Sequence, residues 1–134
     1  MSEYAYCTLA DVEGETAFKY DAESNPSRTE ARNIIEGVAA EIDGALQAVG
    51  YVIPVASTAT RALRMLRRYN ILGAAYRCWH ADVRGTDGFP AVESWELDFR
   101  TFLQRIIDGK IKLPGVDDTD TKNVAKLRTV DIHS

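Results

Sequence analysis

Arg61, Arg64, Arg67 and Arg68 fall within eight positions and form the densest group of chemistry-bearing side chains in the sequence. Guanidinium groups at this spacing pair with carboxylates or neutralise phosphates. Other candidates are weaker. Cys78 and His80 stand two positions apart, which on a helix turns them about 200° from each other. They therefore make neither a nucleophile–base pair nor half of a zinc site, whose helical ligands lie three or four apart. Adding Cys7 and His133 would draw one site from both ends of the chain. Glu93, Glu96 and Asp98 have the types for acid–base work but read as the solvated face of a helix. Gly85-Thr86-Asp87-Gly88 lacks the lysine and hydroxyl residue that complete a phosphate loop. The expectation is no catalytic residue, no metal and no cofactor: a protein that is not an enzyme.

Charge is unevenly distributed around the arginines. Residues 1–26 carry six acids and one lysine, residues 61–84 carry six arginines and one aspartate, and the whole chain has a net charge of −4. An acidic head and a basic middle suit pairing within the chain or between copies of it. The acidic balance argues against free-standing, sequence-specific DNA binding. At 134 residues, 46% hydrophobic and 27% charged, the chain has the size and composition of one globular domain with a core of its own. No apolar run is long enough to span a membrane, and Met1-Ser2-Glu3-Tyr4 does not read as a secretory leader. Two cysteines make no disulfide framework, so a reduced, cytosolic setting fits best.

The elements that position these residues follow from pattern. Thr8-Leu9-Ala10-Asp11 opens a short helix with a capping box, which Gly14 is expected to end. Ser27-Arg28-Thr29-Glu30 is a second capping box, and Ile34, Ile35, Val38, Ile42, Ala45, Leu46 and Val49 draw one apolar stripe over about 28–49. Gly50 is placed as its left-handed stop. A second long helix, about 58–84 and capped by Ser57 or Thr58, groups Leu63, Leu66, Tyr69, Gly73, Tyr76 and His80 on one side and the four arginines on the other. Gly73-Ala74-Ala75 leaves room for another helix to approach. A third starts near Pro90 or Ala91, carries Trp95, Phe99, Phe102, Leu103, Ile106 and Ile107, and stops at Gly109.

The fold class expected is therefore all-α. A short helix and three longer ones form a bundle over residues 1–115, and an extended arm follows over 116–134. The expected core is Leu9, Ile34, Val38, Ile42, Leu46, Leu63, Leu66, Tyr69, Tyr76, Trp95, Phe99, Phe102, Leu103 and Ile106. The arm is too poor in large apolar residues to fold alone. Its alternation through Val124, Leu127, Val130 and Ile132 suits strand addition to a partner.

Several stretches taken in order resemble the head-to-tail connector (adaptor, head-completion) proteins of tailed bacteriophages and Mu-like prophages. They are Tyr6-Cys7-Thr8-Leu9-Ala10-Asp11-Val12, then Ala39-Ala40-Glu41-Ile42-Asp43-Gly44-Ala45-Leu46, then Gly50-Tyr51-Val52-Ile53-Pro54. After these come the long helix with Tyr69-Asn70-Ile71-Leu72, and Phe102-Leu103-Gln104-Arg105-Ile106-Ile107-Asp108-Gly109-Lys110-Ile111-Lys112-Leu113-Pro114. The resemblance spans about residues 4–115 and none of its motifs is catalytic. It implies a small helical virion protein of the neck, present in the host cytoplasm during assembly. Copies of it form a homo-oligomeric ring, commonly dodecameric in the family, beneath the portal protein. The ring extends the DNA channel, lets DNA pass without sequence-specific binding, and receives a tail or stopper protein. On this reading Arg61, Arg64, Arg67 and Arg68 meet acidic groups of a neighbouring subunit or the portal, and Val124, Leu127, Val130 and Ile132 dock the arm. No membrane is involved. The alternative is a small prophage-encoded DNA-binding or regulatory module that uses the Arg61–Arg68 helix face.

Overall fold

The structure, a computed structural model, describes residues 5–81 and 91–115. It is a helical bundle of α1 (Leu9–Thr16), α2 (Arg28–Ala48), α3 (Thr60–Ala81) and α4 (Ala91–Ile107), with no strand among the described residues. The expected turn at Gly85–Gly88 and the arm with Val124, Leu127, Val130 and Ile132 lie outside the described residues.

Both capping boxes form. Thr8 Oγ1 accepts the Asp11 N–H at 3.2 Å, and the Asp11 carboxylate accepts the Thr8 N–H at 2.9 Å. Ser27 and Glu30 do the same for α2. Each cap is worth about 1 kcal/mol. The stops form as well. Gly50 (φ 96°) and Gly109 (φ 70°) are left-handed. The Gly50 and Tyr51 N–H groups bond back to the Gln47 and Leu46 carbonyls, and those of Gly109 and Lys110 to Ile106 and Arg105. This is the Schellman arrangement in both helices.

Helix α3 is the central element, with α1, α2 and α4 all packed on it. Contacts with α2 advance in step along both helices. Asn70 reaches Ile35, Gly73 faces Val38, and Arg77 pairs with Glu41. The two helices therefore run in the same direction where they touch, and the connection 49–59 must travel back along α2, a helix of about 32 Å. Contacts with α4 run in opposite order: Tyr69 stacks on Phe102, while Tyr76 meets Phe99 and His80 meets Glu96. The segment after α4 returns to the crossing connection, where the Leu113 N–H donates to the Tyr51 hydroxyl at 3.1 Å and both side chains are buried.

Four expectations need correction. Gly14 does not end α1, which continues to Thr16 and stops at Ala17 in the left-handed region (φ 56°). Burial of Val12 and Thr16 and the contacts of Glu15 hold that last turn, outweighing a glycine cost of about 1 kcal/mol. Helix α3 begins at Thr60, not near residue 58, because Ala56–Ala59 closes a turn that buries Ala59. Its second half is not one-sided: Asn70 through Tyr76 and Cys78 are all buried, since three helices surround it, while His80 is exposed. Finally, Leu9, Ile34, Leu63, Tyr69 and Leu103 are half-buried at the margin of the core. Val12, Ile71, Leu72 and several alanines are buried in its interior instead.

Candidate interface on helix α3

The four arginines occupy the exposed side of the first half of α3, and the structure divides them into two pairs. Arg67 grips Asp11 of α1 with two hydrogen bonds, Nη2 to Oδ1 at 2.6 Å and Nε to Oδ2 at 3.2 Å. Arg68 Nη1 meets Glu15 Oε1 at 2.7 Å. Glu15 also accepts the indole N–H of Trp95 on α4 at 3.0 Å through its other oxygen. One turn of α1 thus ties α3 and α4 together. Asp11 serves its own cap and Arg67 at once. Burial pushes its carboxyl up, but the hydrogen bonds from Arg67 and from Thr8 outweigh that and hold it below the usual range.

Arg61 and Arg64 are exposed, and neither makes an ion pair among the described residues. Arg61 stands in the first turn of α3, where the helix dipole disfavours a cation by about 0.3–1 kcal/mol; Arg64 lies one turn further on. Arg67 and Arg68 are thus engaged by acids of α1 in the same chain, while Arg61 and Arg64 pair with none of the described residues.

Beneath this surface lies a polar latch that sequence reading missed. Asn70 is fully buried; its Oδ1 accepts the Tyr6 N–H at 2.9 Å and its Nδ2 donates to the Ile35 carbonyl at 3.2 Å. The Tyr6 hydroxyl donates to the Asp43 carboxylate. Burial raises Asp43 above its ordinary value against that hydrogen bond, and burial with the adjoining carboxylate raises the Tyr6 hydroxyl. Charge was the one signal available, and it points elsewhere: two acids of the head, Asp11 and Glu15, pair with Arg67 and Arg68 of the basic helix.

The thiols of Cys7 and Cys78 are buried and each is pushed up to about 12, burial being the largest cause for both. Such thiols are poor nucleophiles at neutral pH. Cys78 lies inside and His80 on the surface, His80 Nε2 standing 3.9 Å from Glu96. Among the described residues no three His, Cys, Asp or Glu side chains are grouped to hold a metal ion. No described helix is long and apolar enough to cross a membrane. An open cleft of about 490 Å³ lies between the start of α1 and α2, with Leu9, Ala10 and Ile35 among its apolar residues and Arg32 and Glu36 among its charged ones.

No protein-family model, no curated protein and no solved structure matches this chain.

Proposed function

We propose that this chain is a structural protein of a tailed-phage neck. Copies join in a ring under the portal, connect the DNA-filled capsid to the tail and extend the DNA channel. The ordered resemblance over residues 4–115 supports this reading. The structural observation that carries it is Arg61 and Arg64, two exposed cations on one helix with no ion-pair partner among the described residues. A ring needs one face of each subunit to meet a different face of the next. The exposed acids Asp21 and Glu23, on a loop tied by hydrogen bonds among Asp21, Glu23 and Ser24, offer the opposite charge. Exposed pairs contribute only about 0–1 kcal/mol each, so they select register and partner rather than supply affinity.

The same two arginines are what remains of the duplex-binding alternative. With Arg67 and Arg68 engaged by Asp11 and Glu15, two free cations are a small footprint for phosphates, and binding through them would weaken steeply with salt.

The test is mass by light scattering, with and without portal protein, for wild type and for Arg61→Glu/Arg64→Glu. The double variant is expected to keep its helix content and lose assembly. Wild-type assembly by the variant overturns the assignment of these arginines. Salt-sensitive binding of wild type to duplex DNA without assembly on portal favours the alternative.

A further inference from the structure

We draw no further inference here: the strongest candidate, the open cleft between the start of α1 and α2 lined by Leu9, Ala10, Arg32, Ile35 and Glu36, carries none because nothing in the structure shows what covers it.

Discussion

Gly73 lies so near Phe99 that a β-carbon on it would stand 2.9 Å from two ring atoms, and 2.6 Å from Cγ1 of Val38 on the other side. Helix α3 is pinched at this one residue between α2 and α4. Gly73→Ala is expected to lower stability, because overpacking of about 1–3 kcal/mol meets a helix-propensity gain of only about 1 kcal/mol. Gly73→Leu is expected to lower it much further. The urea midpoint is the measurement, and an unchanged midpoint for Gly73→Leu would show that the helices part freely here.

Asn70 is the buried tie between the segment before α1 and helix α2. Asn70→Ala leaves the Tyr6 N–H without its acceptor, at a cost of about 1–3 kcal/mol. Hydrogen exchange at the Tyr6 amide should accelerate more than exchange in α4. Uniform acceleration would mean that only global stability had changed.

Two aspartates work in opposite directions with pH. Burial raises the Asp11 carboxyl, but the Arg67 and Thr8 hydrogen bonds hold it below its unfolded value, which is about 3.9. Its contribution is therefore present above about pH 4 and is lost as pH falls through the folded value. Asp43 is raised by burial despite the Tyr6 hydroxyl. The folded state holds that proton more tightly, so ionised Asp43 opposes folding at neutral pH. In urea titrations at pH 7, Asp11→Asn is expected to lower the midpoint. Asp43→Asn keeps an oxygen for Tyr6 and is expected to raise it. A lower midpoint for Asp43→Asn would show that the charge itself stabilises the latch.

The thiols give a third readout. Burial pushes Cys7 and Cys78 up to about 12, so neither should react with a thiol-specific disulfide reagent at pH 8 while the chain is folded, and both should react in denaturant. Rapid labelling of the folded chain would show that the segment carrying Cys7 opens readily.

Helix starts and stops were legible because they are local. The Thr8–Asp11 and Ser27–Glu30 boxes and the glycines at 50 and 109 each act within four or five residues. The seam of α4 was equally plain, since its exposed side stays polar apart from Leu97, Ile107 and a few small residues. Helix α3 was harder. A helix enclosed on three sides has no single stripe, and its interior is filled by Gly73, Ala74 and Ala75, whose importance depends on what neighbours them. Pairing was least legible. The opposed charges of the head and the middle were visible, but Arg67 and Arg68 meeting Asp11 and Glu15, with Arg61 and Arg64 left over, depends on how α1 lies across α3. Asn70 gave no warning, because a lone asparagine in a helical pattern looks the same whether it faces water or a backbone carbonyl.

Because α2 and α3 point the same way where they meet, they cannot close as a simple hairpin when the chain begins to condense. The connection 49–59 has to be laid across the body first, and its entropy lost before their contacts form. Helices α3 and α4, adjacent in sequence and opposed in direction, face no such delay. The expected sequence of events is that this pair condenses early and α2 and then α1 dock upon it, so alterations at Tyr69 and Phe102 should slow refolding while those at Asp11 mainly hasten unfolding.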